Sequence, residues 1–443
     1  MTATAQAQAT PADPKAHPWG KGDTSWFVHD RFGMFIHWGI YALGARHEWL
    51  KNRECMTTER YQRYFDHFDP DLYDPTEWAA AAKAAGMKYV VLTAKHHDGF
   101  CLWDSAHTEY KATNTPAGRD LLRPYVDAFR AAGIRVGFYY SLLDWHHPDF
   151  TIDFRHPQRD DQEARAAEAK AGNKDIRRYA QYMRDQVREL LTNYGQIDVM
   201  WFDFSYPGED GKGREEWESE KLITMVRELA PDIIVDNRLD LEGSGDFVTP
   251  EQFQPQKGYF DDDGKPLVWE ACQTFSGSWG YHRDEQTWKS VDLLLRMLID
   301  GVSKGGNLLL NVGPTARGVI DQRAMDRLTG MAEWMRLNSR SIYGCGAAPF
   351  TAPPDTRYTY NAETKRLYVH ILSWPFKFLV LPGLAGKVQY AQLLHDGSEI
   401  FHDDPRDWTA GHLKEQLDAD DLLLRMPNVQ PDVSIPVIEL FLD

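Results

Sequence analysis

Between residues 26 and 348, short apolar runs alternate with stretches of helical periodicity. Phe32–Trp38, Lys88–Thr93, Ile134–Tyr140, Ile197–Asp203, Ile233–Asp236, Leu267–Glu270 and Asn307–Asn311 are nearly all apolar, the pattern of strands covered on both faces. Between them, Thr76–Ala85, Asp120–Ala132, Ile176–Tyr194, Glu216–Leu229, Thr287–Val302 and Asp321–Asn338 carry apolar residues at helical spacing. One device occurs twice. AAGMKYVVL and AAGIRVGFY each pass from a helix, through a capping glycine, into a strand. Seven strand-to-helix units predict an α/β fold with a parallel sheet under helices. Polar residues at the C-terminal end of nearly every strand favour a (β/α)8-like barrel over an open sheet. Seven strands are counted, so the eighth is either absent or disguised.

After about Pro353 the texture changes to the period-two alternation of Leu367, Val369 and Ile371 with Tyr368 and His370. Asp396-Gly397 is a hairpin signal and Val433–Leu442 a last strand. The expected organisation is therefore a flexible tail over 1–25, a barrel over 26–348 and a small C-terminal β-sandwich over 353–443. The charged stretch Arg155–Gly172 after the third strand reads as a solvated insert.

Composition narrows the class. A formal charge of −17 gives no general pull towards phosphate backbones or anionic lipid, so neither nucleic acid nor membrane is an expected partner. No apolar run is long enough to span a bilayer. Neither a dinucleotide glycine fingerprint nor a phosphate-binding loop is present. Cys55, Cys101, Cys272 and Cys345 are widely spaced and read as reduced thiols. The N-terminus lacks the basic start and apolar stretch of a signal peptide. The expected location is cytoplasmic if the chain is complete, periplasmic or secreted if a signal was removed. Self-association into a homo-oligomer is left open.

The candidate chemistry clusters at strand ends. His37 and Trp38 precede Arg46-His47-Glu48-Trp49. Lys95-His96-His97-Asp98 follows the second strand, and Asp144-Trp145-His146-His147 the third. Trp201-Phe202-Asp203 ends the fourth. Asn237-Arg238, Glu251, Trp269-Glu270 and Trp279 come later. So many histidines could hold a metal, but His96-His97 and His146-His147 are adjacent pairs, and neighbours on a strand point to opposite faces. No metal is expected. Neutral imidazoles mixed with Trp and Tyr suit a ring of sugar hydroxyls instead, as does an aromatic content of 13%. Asp203 closes a buried strand, where a carboxylate is costly unless it is paired or works. Glycoside hydrolysis needs two carboxylates. Glu48, Glu251 and Glu270 are the candidate partners, and spacing does not choose among them.

Five strings appear in order: RFGMFIHWGIYALGARHEW, KYVVLTAKHHDGF, GFYYSLLDW, IDVMWFDF and SKGGNLLLNVGPTARG. Together they resemble the α-L-fucosidases of glycoside hydrolase family 29 from about Trp26 to Tyr343. The resemblance implies a (β/α)8-like barrel followed by a β-sandwich, and a retaining, exo-acting enzyme that releases α-L-fucose from fucosylated oligosaccharides or glycosides without a cofactor. It makes Asp203 the nucleophile and places His37, Glu48, Trp49, His96, His97, Tyr139, Trp201 and Arg238 around the fucose. Trp49, Phe100 or Trp279 would receive the C5 methyl. The acid/base falls in a variable segment after Arg238, where GDFVTPEQ offers Glu251. Glu270 is the rival and otherwise supports the pocket. WFDFSYPG departs from the commoner pattern at the nucleophile strand and suggests a tighter rim near Phe204.

Overall fold

The computed structural model describes residues 19–403 and 417–443. Seven parallel strands form one curled sheet: β1 (Phe32–Ile36), β2 (Tyr89–Lys95), β3 (Arg135–Ser141), β4 (Val199–Asp203), β5 (Ile234–Val235), β6 (Glu270–Thr274) and β7 (Asn307–Val312). Their order is β5-β4-β3-β2-β1-β7-β6. Helices Pro75–Ala84, Leu122–Ala131, Ile176–Asn193, Ser219–Leu229, Val291–Ser303 and Gln322–Asn338 cover the outside. Caps define their starts, with the Asp74 carboxylate accepting the Thr76 N–H at 2.8 Å and Asp175 that of Arg177 at 3.0 Å. Gly86 and Gly133 take left-handed φ of 84° and 77° where two helices hand over to β2 and β3, as the repeated device predicts.

Two expectations need correction. The fifth strand is not followed by a helix. Instead the chain doubles back after Val235, and the Asp246 carboxylate accepts both the Val235 N–H and Arg227 Nη2 at 2.7 Å. Residues 246–252 then run between β5 and β6 through the parallel bridges Asp236–Phe247, Val248–Trp269 and Glu251–Cys272. This is the disguised eighth strand, broken into single bridges because Pro250 has no N–H to give a ladder. The sixth strand is also displaced from the predicted Leu267–Glu270, so Glu270 opens β6 at the bottom of the barrel instead of ending a strand at its top.

Phe35, Tyr89, Val91, Tyr139, Trp201 and Leu309 fill the barrel interior. The tail expected over 1–25 lies outside the described residues up to position 18. From Gly22, whose N–H donates to Asp246 at 3.0 Å, the chain is tied to the barrel, and Phe27 of the helix Ser25–Asp30 plugs its lower end. The insert after β3 contains the helix Gln162–Ala171, which buries no residue, as a solvated stretch should.

The C-terminal region holds two antiparallel sheets. One, β11-β14-β9-β8, is built from β8 (Thr356–Asn361), β9 (Arg366–Ile371), β11 (Val388–Leu393) and β14 (Val437–Leu442). The other, β10-β13-β12, is built from β10 (Phe378–Leu381), β12 (His402–Asp403) and β13 (Leu422–Arg425). Leu367, Val369, Leu381, Leu424 and Ile438 form a core of their own between them. Among the described residues no helix is long and apolar enough to cross a membrane.

Candidate active site

The C-terminal ends of the barrel strands converge on a cavity. His37, Glu48, Trp49, His96, His97, Tyr139, Trp201, Asp203, Arg238, Glu251 and Trp279 all line it, joined by Phe35, Phe204 and Cys272. Two expected residues lie elsewhere. Phe100 packs against Phe68 and Tyr110 in the outer core, so it cannot meet a ligand's methyl. Glu270 is one layer below, a consequence of the displaced β6.

Asp203, at the end of β4, is held from two sides. Tyr139 Oη donates to Oδ2 and Arg238 Nη1 to Oδ1, both at 2.7 Å. The same Nη1 lies 2.8 Å from Glu251 Oε2. Two carboxylates touching one nitrogen can be no farther apart than about 5.5 Å, the upper end of the spacing in retaining glycosidases. Burial pushes the Asp203 carboxyl up, and the Glu251 charge adds to this, while the Arg238 charge and the Tyr139 hydrogen bond pull it back. Arg238 itself is fixed by Thr249 Oγ1, which accepts from Nε at 2.9 Å, and lies 4.4 Å over the Trp201 ring. Burial works against its charge, but Asp203 and its neighbours outweigh that and hold the guanidinium firmly ionised. Asp203 is 9% exposed, whereas the Glu251 side chain is 42% exposed, so one carboxylate belongs to the floor and the other to the mouth.

The histidines are neutral. Burial drives His37 down to about 3 and His96 and His97 well below the usual imidazole range. Asn311 Nδ2 donates to the Trp279 carbonyl, so its Oδ1 accepts His37 Nδ1–H at 2.6 Å. Ser141 Oγ donates to the Leu143 carbonyl and therefore accepts His97 Nδ1–H at 2.7 Å. In both rings Nε2 is left as an acceptor. His96 and His97 share the cavity because β2 ends at Lys95 and strand alternation no longer applies. His146 instead stacks on Tyr110 with centroids 3.7 Å apart, outside the cavity. Among the described residues no three His, Cys, Asp or Glu side chains converge as metal ligands. Glu48 Oε2 accepts the Gly280 N–H at 2.8 Å, and burial raises this carboxyl to about 7. Its buried Oε1 lies 3.2 Å from His47 Nδ1, which already accepts the Trp49 N–H, so it has no hydrogen-bond donor of its own. His37 and His97 thus present neutral imidazole acceptors to the cavity, with the Glu48 carboxyl beside them.

Glu270 accepts hydrogen bonds from the Tyr89 hydroxyl and, at 3.4 Å, from Trp201 Nε1. Burial lifts it to about 8, so it is uncharged at neutral pH and braces Trp201 from beneath. Reading by residue type missed Asn311, Thr249 and Cys272. Asn311 had a signal, as a polar residue closing the apolar strand NLLLNV. Phe204 directly follows Asp203 with a left-handed φ of 81°, a strained conformation for an aromatic residue. That turn sets its ring against Trp49 and His97, with centroids 5.2 and 5.0 Å away, and so narrows the rim.

Comparison with known proteins gives one answer. The family model described as alpha-L-fucosidase matches residues 2–340. The plasma alpha-L-fucosidase of Rattus norvegicus is 29% identical over 422 residues, 87% of this chain and 84% of the relative. Alpha-L-fucosidase isoenzyme 1 from Paenibacillus thiaminolyticus superposes with a TM-score of 0.88 at 50% identity, covering 95% of this chain and 98% of that one. A GH29 alpha-L-fucosidase from Bacteroides thetaiotaomicron, trapped as a covalent intermediate, matches with a TM-score of 0.80 at 27% identity over 96% of this chain and 98% of the other. By a family match over most of its length, this chain belongs to the alpha-L-fucosidase family, GH29.

Proposed function

We propose that the chain is an exo-acting retaining α-L-fucosidase that removes terminal α-L-fucose from fucosylated glycans or glycosides, with residues 26–348 as the catalytic barrel and 353–443 as a sandwich beside it. The observation that carries this reading is the single Arg238 nitrogen within hydrogen-bond distance of both Asp203 and Glu251. In the first step an Asp203 oxygen bonds to the anomeric carbon as the bond to the leaving oxygen breaks, and Glu251 gives that oxygen its proton. In the second, Glu251 takes a proton from water, the water oxygen bonds to the anomeric carbon, and Asp203 leaves as carboxylate. Tyr139 and Arg238 aim the nucleophile. His37, His97 and Glu48 hold fucose hydroxyls, and Trp49 or Trp279 meets the C5 methyl. The covalent intermediate trapped in the Bacteroides thetaiotaomicron relative supports a double displacement.

The test is turnover of an aryl α-L-fucoside by the parent and by Asp203→Gly. The variant is expected to lose roughly four decades of rate or more, with azide restoring turnover as β-L-fucosyl azide. A parent without activity, or a variant within about tenfold of it, overturns the assignment.

A further inference from the structure

Beyond the cavity mouth, the start of the insert after β3 and the residue before it place two exposed side chains that the reaction as drawn does not use. Phe154 is a large aromatic residue left 44% exposed, standing edge-on to Tyr206 with centroids 5.3 Å apart. The Arg155 guanidinium lies 5.0 Å from the centroid of Phe154 and 5.4 Å from that of Phe204, which lines the cavity. No carboxylate of the described residues pairs with Arg155, so its N–H donors face solvent beside the mouth. The pair stands on a rigid base. The Asp153 carboxylate accepts the Arg155 backbone N–H at 2.8 Å and the Tyr206 hydroxyl at 2.7 Å, and it is ion-paired to buried Lys212. The Asn52 side chain donates to the Arg155 carbonyl at 2.5 Å. An exposed aromatic face beside an unpaired, flat cation, both fixed from below, is the chemistry that binds a sugar ring: the apolar face stacks and the donors meet hydroxyl or acetamido oxygens.

We propose that Phe154 and Arg155 form the subsite for the leaving-group sugar, a neutral hexopyranose, so that the insert sets preference among fucosylated substrates. This rests on the fucosidase reading above. The test compares kcat/KM for a fucosyl disaccharide with kcat/KM for α-L-fucosyl fluoride, whose leaving group is one atom and cannot touch a subsite. In Phe154→Ala and Arg155→Ala the disaccharide-to-fluoride ratio is expected to fall about tenfold, mostly through KM for the disaccharide. Phe253→Ala, at a comparably exposed aromatic residue two positions after Glu251, serves as the comparison. An unchanged ratio in both insert variants, or a fall confined to Phe253→Ala, overturns the proposal. Fluoride turnover certifies that each variant is folded. If Phe154→Ala loses it, Phe154→Leu, which keeps bulk but not the flat face, carries the same comparison. A parent inactive on the fluoride overturns the reaction itself, whereas an active parent with an invariant ratio overturns only the subsite.

Discussion

Arg238 is where charge and geometry meet. One guanidinium nitrogen holds Asp203 at 2.7 Å and Glu251 at 2.8 Å, so it both spaces the carboxylates and opposes the burial that pushes Asp203 up. In the proposed mechanism only the ionised Asp203 attacks, so activity is expected to fall as pH drops through its pKa. Removing the positive charge lets burial act unopposed, and the acid limb must then move to higher pH. For Arg238→Gln the acid limb of kcat/KM is expected to rise by about one unit or more, the size of the pull a guanidinium exerts on a neighbouring carboxylate. The profile is best measured on α-L-fucosyl fluoride, which needs no proton from Glu251 and so removes the limb of the acid. A limb that stays in place would mean that Arg238 only spaces the two acids. His37, held neutral down to about 3, contributes no limb between pH 5 and 8.

At the scale of elements, β6 shows how a displaced strand changes a residue's role. Glu270 opens the strand beneath Trp201 and is held protonated up to about 8. A carboxyl raised from its ordinary 4.5 to about 8 in the fold gives stability that is fully present below about 4.5 and is lost as pH rises through 8. Glu270→Gln copies the protonated form. It should therefore match the parent near pH 5 and exceed its Tm by a few degrees at pH 9, roughly 2–4 °C for each kcal/mol of charge burial relieved. Equal melting temperatures at both pH values would mean that Glu270 is ionised in the fold. The same strand marks the limit of legibility. β1 to β4 and β7 were readable because their residues are almost uniformly apolar and buried. The run EACQT of β6 was not, because its polar side chains find buried partners: Glu270 in Tyr89 and Trp201, Gln273 in the Phe253 carbonyl and Thr274 in Gln252. That segment was hidden by Pro250 and by its polar residues, yet it carries Glu251. The cavity residues were legible because they stand at strand ends. Glu270 was misplaced because a slip of a few residues along a strand moves a side chain from the top of a barrel to its floor.

At the scale of the whole molecule, the sandwich keeps a core of its own but also packs Tyr368, Leu394, Ile435 and Val437 into the outer core of the barrel. Trp334, on the helix Gln322–Asn338, is 3% exposed and donates its Nε1–H to the Ile435 carbonyl at 3.2 Å, with its ring alongside His370 of β9. Asp300, on the helix before β7, pairs with Arg357 of β8 at 2.8 Å, and Arg340 pairs with buried Glu439 of β14 at 3.0 Å. The two ion pairs are partly exposed and contribute little each. The indole is the largest side chain among the apolar residues that make the joint. Trp334→Ala empties a large volume and orphans a carbonyl, at a cost of about 3–5 kcal/mol. Calorimetry should then show the melting of the chain lowered by roughly ten degrees. Fucoside turnover at 25 °C should stay within about twofold, because Trp334 belongs to the outer layer and the strand ends that hold Asp203, Arg238 and Glu251 do not depend on it. If the sandwich is coupled to the barrel through this joint, one cooperative transition shifts as a unit. A barrel transition that keeps its midpoint while a smaller one moves would instead make the sandwich an independent passenger. In that case the barrel's stability must come from its own layers alone, and from the helix at Phe27 that plugs its floor.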